Sequence, residues 1–437
     1  MNKTVPEGWV EARFQDIADL VKGLTYSTND YSTKENGHPF ITLKCIQKNG
    51  GFSQRGLKYY SGKFKESQVV EAGDVVFANT DLTRDGDVVG SPLLVPSIYG
   101  DKPALISMDL SKVVPKKSND GGFIYYWLQT NQVKRQMINL SAGSTVLHLN
   151  TADVPYIHLI KPPYPQQQKI ATILSSVDDV IEKTRAQIDK LKDLKTGMMQ
   201  ELLTKGIGHT EYKDSPVGII PASWEVLNLQ AICTSKYAIV DGPFGSNLKT
   251  EHYRDSGIPV FQSGLVTSNK FVKRDYVYVN EEKYQEQFRS SAGPGDILMA
   301  KIGMRAGACA IIPEGHPMGI LAGNSLKITV DSDKAKNSFI LNILHFLQDT
   351  GQIRRLLTET AQPAVSITTL KKMLIALPPM SEQNAIGDFL TSLDRKLESA
   401  TKKSNSYKLL KRALMQDLLT GKVRVNVENH QEERMAV

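Results

Sequence analysis

The chain has 437 residues, of which 41% are hydrophobic and 23% charged, with a formal net charge of +7. That length excludes one ordinary domain, and the basic balance points to an anionic partner, nucleic acid first, although many soluble proteins are mildly basic. The three cysteines, Cys45, Cys233 and Cys309, are too few and too far apart for a disulfide framework or a CxxC zinc site, and no run of about 18 apolar residues suits a membrane span.

Taken in chain order, the first landmark is Pro6-Glu7-Gly8-Trp9, whose neighbourhood lacks the apolar stretch of a signal peptide. A β-like run at Val75-Val76-Phe77 leads into a polar loop, Ala78-Asn79-Thr80-Asp81-Leu82-Thr83-Arg84-Asp85-Gly86, and a second run follows at Val113-Val114. The apolar pattern predicts one helix over residues 124–138. Pro162-Pro163 then interrupts the chain before a long helical pattern that stops at Gly206. The second half repeats this order. It has Pro221-Ala222-Ser223-Trp224, the loop Gly242-Pro243-Phe244-Gly245-Ser246-Asn247-Leu248-Lys249, runs at Val277-Tyr278-Val279 and Leu326-Lys327-Ile328-Thr329-Val330, and the loop Ala300-Lys301-Ile302-Gly303-Met304-Arg305-Ala306-Gly307. A helix is predicted over residues 339–357, then come Pro378-Pro379, a second long helix and Gly421.

The repetition extends to individual residues. Leu174, Ser176 and Asp178 recur as Leu390, Ser392 and Asp394 (390 − 174 = 216). Gly73-Asp74-Val75-Val76 recurs as Gly295-Asp296-Ile297-Leu298 (295 − 73 = 222), and Leu128-Gln129 as Leu347-Gln348 (347 − 128 = 219). Offsets that drift and return in fixed order indicate a duplicated module with small loop insertions. The short runs between turn signals give an α+β module rather than βαβ units.

In the first long helix the apolar positions run Ile170, Leu174, Val177, Ile181, Thr184, Ile188, Leu191, Lys195, Met198, Leu202. In the second they run Ile386, Leu390, Leu393, Leu397, Ala400, Ser404, Tyr407, Lys411, Leu414, Leu418. Spacings of four and three make a heptad seam about 50 Å long, with Lys195 and Lys411 in the same register. A seam this narrow needs a partner helix, so the two are expected to pair antiparallel as a coiled coil. The alternative is that each packs only on its own module. The small seam residues Thr184, Ala400 and Ser404 leave room for helices of another protein. The expected architecture is therefore α+β and pseudo-twofold, with a recognition domain at 1–163, a spacer helix at 164–207, a second recognition domain at 208–379, a second spacer helix at 380–425 and a disordered tail at 426–437.

Basic and aromatic residues alternate in the module loops, around Lys44 to Lys65 and Lys249 to Tyr278. Any one of them is more often solvated surface, but the set in two copies suits DNA, where Lys and Arg neutralise phosphates and Asn, Gln and Arg pair base edges. The expected DNA contacts are Lys44, Asn79, Arg84, Ser246, Asn247, Lys249, Gln262, Lys301 and Arg305. Catalytic motifs are missing: there is no GxxxxGK[ST] loop for ATP and no GxGxxG after a strand. Lys161-Pro162-Pro163-Tyr164 lacks the Asp or Asn of an amino-methyltransferase motif and reads as a rigid linker. Asp275 with Glu281 and Lys283 is a weak match to a nuclease cluster, and the eight histidines are scattered. No catalytic or metal site is expected.

Two modules, each followed by a long helix, together resemble the specificity subunit of type I restriction–modification enzymes. The helix starts Leu174-Ser175-Ser176-Val177-Asp178 and Leu390-Thr391-Ser392-Leu393-Asp394 and the ends Met199-Gln200-Glu201-Leu202-Leu203 and Met415-Gln416-Asp417-Leu418-Leu419 carry the resemblance, with the Trp9 and Trp224 motifs and the loops after Gly242 and Gly295. It covers about residues 6–425. The resemblance implies a cytoplasmic, non-catalytic subunit of a bacterial defence system. Each domain would read one half of a bipartite, asymmetric double-stranded DNA site. The helices, through Leu174, Val177, Ile181, Ile188, Leu191, Leu390, Leu393, Leu397, Tyr407 and Leu414, would set the gap and bind two modification (methyltransferase) subunits. S-adenosylmethionine, ATP and Mg would sit on those and on the restriction (translocase/nuclease) subunits, with no cofactor in this chain and no membrane partner.

Overall fold

The computed structural model describes residues 5–48, 51–83, 86–97, 102–267, 269–358 and 362–427. The chain forms two compact units. The first holds residues 1–185 and 403–437, and the second residues 186–402.

The first unit is built on the strand Val75–Ala78, which is buried on both faces. Alternate side chains of a strand point to opposite sides, so a strand with no polar position must lie between two layers. Val75 and Phe77 enter a core with Phe14, Phe123 and Trp127, while Val76 and Ala78 enter another with Ile41, Val70 and Ile106. The strand belongs to an antiparallel sheet in the order Ala18–Lys22, Leu110–Pro115, Val75–Ala78, Pro92–Leu94. A second sheet runs Lys58–Tyr60, His38–Ile41, Ala104–Ile106, Val69–Val70, with the parallel register Phe40↔Leu105. Val10–Arg13 pairs with His158–Lys161 just before the first long helix.

The second unit repeats this plan. Its first sheet is ordered Ile239–Asp241, Ser325–Ile328, Ile297–Ala300, Cys309–Ile311. Its other sheet is ordered Tyr278–Val279, Ile258–Phe261, Gly319–Leu321, Ser291–Ala292, with the parallel register Val260↔Ile320. Glu225–Asn228 pairs with Leu374–Leu377. Ile297 and Met299 face one core, Leu298 and Ala300 the other. Both modules therefore mix helix and sheet as the sequence predicts, and the duplication holds for both four-stranded sheets and for the strand pair beside each long helix. The three-stranded sheet Ser141–Ala142, Leu147–Leu149, Thr80–Asp81 is particular to the first unit among the described residues.

The shorter helices differ from expectation. The helix predicted over residues 124–138 is two helices, Gly121–Leu128 and Asn131–Asn139. Thr130 breaks it, because its hydroxyl accepts from Val133 N and caps a new start. In the second unit Asn337–Asp349 ends before Gly351, at φ +72°, and a 3-10 turn, Gln352–Leu356, replaces the expected last turns.

The long helices are Tyr164–Lys205 and Met380–Leu418. Both leave through a left-handed glycine, Gly206 at φ +68° and Gly421 at φ +70°, a conformation that costs a residue with a Cβ more. Every seam position from Ile170 to Leu202 and from Ile386 to Leu418 is buried or half-buried. In the first unit Ile170 and Leu174 share a core with Leu418 and Leu419. In the second, Met199, Leu202 and Leu203 share one with Ile386, Leu390 and Leu393.

Candidate nucleic-acid and partner surfaces

Each long helix is bolted to its module by side chains that recur at the repeat offset. Gln167 Nε2 donates to Pro162 O (2.9 Å) and its Oε1 accepts from Asp120 N (2.9 Å). Gln383 does the same with Pro378 O (2.9 Å) and Lys336 N (2.9 Å). Both glutamines are 1% exposed, and each satisfies backbone groups that would otherwise be buried unpaired. The motif tryptophans complete the joint. Trp9 Nε1 donates to Gln166 Oε1 at 3.1 Å and Trp224 Nε1 to Glu382 Oε2 at 3.1 Å.

Polar pairs cross the seam. Lys411 Nζ lies 2.7 Å from Asp178, which also accepts from the Tyr126 hydroxyl (2.8 Å). Burial and then the Asp178 carboxylate push the Tyr126 hydroxyl far above the usual tyrosine range. In the second unit Lys195 Nζ meets Asp394 at 2.6 Å. The two pairs exchange acid and base between copies, since 394 − 178 and 411 − 195 are both 216. The counterpart of Tyr126 is His345, 6% exposed, whose Nε2 makes a 2.9 Å hydrogen bond with Cys309 O. Burial pushes its imidazole below the usual histidine range. Lys195 lowers it further, while the Cys309 carbonyl, Asp394 and Asp349 oppose the shift. The unfolded chain therefore protonates first, at about 6.5, and stability is lost as pH falls through that value. His345→Gln is expected to remove this component. Its effect on stability should change by up to about 1.4 kcal/mol per pH unit below 6.5 and stay constant above pH 7. Parallel pH profiles of the unfolding midpoint for the two proteins would contradict this.

The loops at the sheet ends hold most of the residues expected to touch DNA. Ser246, Asn247, Lys249, Gln262 and Arg305 are exposed in the second unit, and Lys44 in the first. Arg84 lies outside the described residues. Two expectations need correction. Asn79 is 4% exposed and its amide donates inward to Met108 O (3.3 Å), so it braces the loop rather than offering an edge to a base. Lys301 is a half-buried strut. Its ammonium sits 2.6 Å from Asp241 and 4.1 Å from the Phe244 ring centre, which neutralises the charge a phosphate would need. The helix residues also divide. Leu174, Leu390 and Leu393 are at most 4% exposed, and Val177, Ile181, Ile188, Leu191, Leu397, Tyr407 and Leu414 are half-buried, so these side chains contribute to the helical seam. The outer faces of the helices carry Leu194 and Leu410, equivalent residues that are each 47% exposed.

Sequence reasoning missed the buried Asp81, whose carboxylate accepts from Thr83 N (2.7 Å), the Thr83 hydroxyl (2.7 Å), Val88 N and Val89 N (2.9 Å). Burial alone would raise this carboxyl, but these hydrogen bonds hold it below the usual range. The pattern Asp-x-Thr was the available signal. Of the weak nuclease cluster, Lys283 is paired with Glu286 of its own helical turn, and Asp275 and Glu281 are exposed. Among the described residues no group of three His, Cys, Asp or Glu is placed to hold a metal ion, and no helix is long and apolar enough to cross a membrane. Burial raises the Cys45 and Cys233 thiols to about 11 and Cys309 further.

Comparison with known proteins agrees with this duplicated architecture. Residues 6–193 and 221–407 each match the family described as Type I restriction modification DNA specificity domain. The MjaVIII specificity subunit of Methanocaldococcus jannaschii is 26% identical over 428 residues, covering 96% of this chain and 94% of that protein. The EcoKI specificity subunit of Escherichia coli is 23% identical over 398 residues, covering 87% and 81%. Among solved structures, the S subunit of a type I restriction–modification system from M. genitalium shares the fold with a TM-score of 0.61 at 15% identity, covering 96% of this chain and 98% of that one. Matched over most of its length by two copies of one domain, the chain belongs to the type I restriction–modification DNA specificity family, whose named members are the non-catalytic, targeting subunits of their complexes.

Proposed function

We propose that this chain selects the DNA site of a type I restriction–modification complex, each module reading one half of a bipartite, asymmetric sequence. The observation that carries the reading is one scaffold built twice with different loops. The strands Val75–Ala78 and Ile297–Ala300 occupy the same place in matching sheets. The loops that leave them differ in length and residues, closing at Gly90 and Gly307. Different loops on equal scaffolds suit unequal half-sites. The recognition domains are assigned to 1–163 and 208–379, and the spacer helices to 164–207 and 380–425.

The long helices are proposed to pair antiparallel as a coiled coil. Within each unit the start of one helix packs with the end of the other, and the Asp178–Lys411 and Lys195–Asp394 pairs fix the register. Such a rod sets the gap between half-sites and offers outward faces, including Leu194 and Leu410, to two modification subunits. A solved structure of similar fold, TM-score 0.52 at 16% identity, comes from work on complex assembly of the type I system. The modification subunits would supply S-adenosylmethionine chemistry and the restriction subunits ATP- and Mg-dependent steps, in the cytoplasm.

Phosphate contact is assigned to Lys44, Lys249 and Arg305, and base-edge or backbone contact to Ser246, Asn247 and Gln262. Alanine at Lys44, Lys249 or Arg305 is expected to weaken binding by the assembled complex uniformly across sequences, and to reduce the slope of log affinity against log salt by about 1 each. Unchanged affinity and slope in all three variants would remove these assignments. Methylome sequencing of a host with and without the chain tests the function itself. A methylated motif in two separated, unlike halves should depend on its presence, and a continuous motif or none would contradict the proposal.

A further inference from the structure

The two modules share one feature that neither packing nor solubility explains. The loop after Val75–Ala78 presents Leu82, 63% exposed, and the loop after Ile297–Ala300 presents Met304, 103% exposed. Single exposed apolar side chains are common and need no account. These two stand at the same position of the repeat, since 304 − 82 is 222, the offset of the strands that carry them. Their loops have different sequences, yet each exposes a long apolar side chain four residues after its strand.

Both tips are held firmly. Under Leu82 the Asp81 carboxylate gathers the backbone N–H groups of Thr83, Val88 and Val89. Thr80 donates to Asp109 (3.2 Å) and Leu147 pairs with Asp81 in a short strand. Around Met304, Gly303 N donates to Pro363 O (2.9 Å) and Ala306 N to Gly303 O (2.9 Å). The loop bases close alike, through Gly90 N to Ala78 O (2.8 Å) and Gly307 N to Ala300 O (2.8 Å). A braced loop that exposes an apolar tip keeps its unfavourable hydration in the free protein, which suits a group meant to be buried by a ligand.

The surroundings indicate which ligand. Arg305 follows Met304, and the exposed Ser246 and Asn247 share a loop with Phe244, 46% exposed, whose ring lies under Lys301 and is a further large apolar group near this tip. Near Leu82 stand Thr83 and the exposed His148, which faces Thr80 across the strand pair. A protein interface would surround such a tip with further apolar area. An apolar side chain beside Arg305 in one module, and beside Thr83 and His148 in the other, suits a base stack, where Leu and Met enter between base pairs and kink the duplex.

We propose that Leu82 and Met304 are wedge residues, each entering the base stack of its own half-site and opening one step there. This rests on the DNA-reading function above. The test uses the full chain assembled with its modification subunits, and duplexes of the mapped site carrying 2-aminopurine singly at positions other than the methylated adenine. On binding, fluorescence is expected to rise at one step in each half. Leu82→Ala should abolish the rise in the first half only, and Met304→Ala in the second only, each weakening site-specific binding about 10-fold while the complex stays assembled. Leu82→Met and Met304→Leu should retain the signal. Specific binding by the wild-type complex without a rise in either half would overturn the wedge and leave the reading function standing. Loss of the modification subunits from the alanine variants would overturn it in favour of a protein contact. Failure of the wild-type complex to bind any specific site would overturn the function beneath it.

Discussion

Trp224→Ala is expected to lower the stability of the second unit by about 3–5 kcal/mol, the range for removing a fully buried indole. Trp224 is 0% exposed and touches two helix ends at once. Its Nε1 donates to Glu382 in the first turn of Met380–Leu418, and its Cζ2 lies 2.8 Å from where a Cβ on Gly206 would stand. The indole therefore joins the end of one long helix to the start of the other. Glu382 also accepts from Ile207 N (2.8 Å) and faces His209 Nε2 (2.9 Å), so the substitution strips one of several donors from a nearly buried carboxylate. Trp224→Phe keeps most of the apolar contact and should cost less, about 1–2 kcal/mol. Trp9 plays the same part in the first unit, with Gln166 as acceptor and Gly421 beneath the ring. Because a chain of two units need not unfold in one step, the measurement is calorimetry combined with hydrogen exchange. Trp224→Ala should move the transition of the second unit, and Trp9→Ala that of the first. A loss under about 1 kcal/mol for Trp224→Ala would show that the joint is not made there.

Leu390→Ala is expected to cost about 3 kcal/mol, within the range for a buried leucine that leaves a cavity. Leu390 is 0% exposed in a core with Met199, Leu202, Phe339 and Ile386. That core holds both long helices against the module, so the loss should loosen the helices as well as the fold. Its repeat partner Leu174, also 0% exposed, should give a similar loss in the first unit. Phe389→Ala, at a neighbouring position 41% exposed, is the control and should change stability by under about 0.5 kcal/mol. Urea unfolding followed by circular dichroism reads the difference. Equal midpoints for Leu390→Ala and Phe389→Ala would place the seam on the wrong face.

These expectations come from features that were legible to different degrees. The duplication, both long helices, their glycine ends and the buried seam could be read because period and spacing are properties of local sequence. The two-layer burial of Val75–Ala78 could not, because a short apolar run signals a strand without saying which distant segments cover its two faces. The break at Thr130 was missed although its cap signal was present, since the apolar pattern continues across it. The inward turn of Asn79 and the engagement of Lys301 by Asp241 depend on neighbours 29 and 60 residues away in the chain. Polar residues in loops announce their chemistry but not their direction.

The matched closures at the loop bases bear on how such a protein diversifies. Gly90 returns to Ala78 after twelve residues and Gly307 returns to Ala300 after seven (90 − 78 and 307 − 300), yet both end on the same backbone hydrogen bond at 2.8 Å. By loop-closure entropy alone the longer excursion costs only about 0.5 kcal/mol more. A change of loop length therefore costs little in chain entropy, while the Asp81 hydrogen bonds and the strands beneath tolerate little change. A lineage can drift through many loop sequences and test new targets without first gaining stabilising mutations elsewhere, and the two halves of one gene can diverge independently.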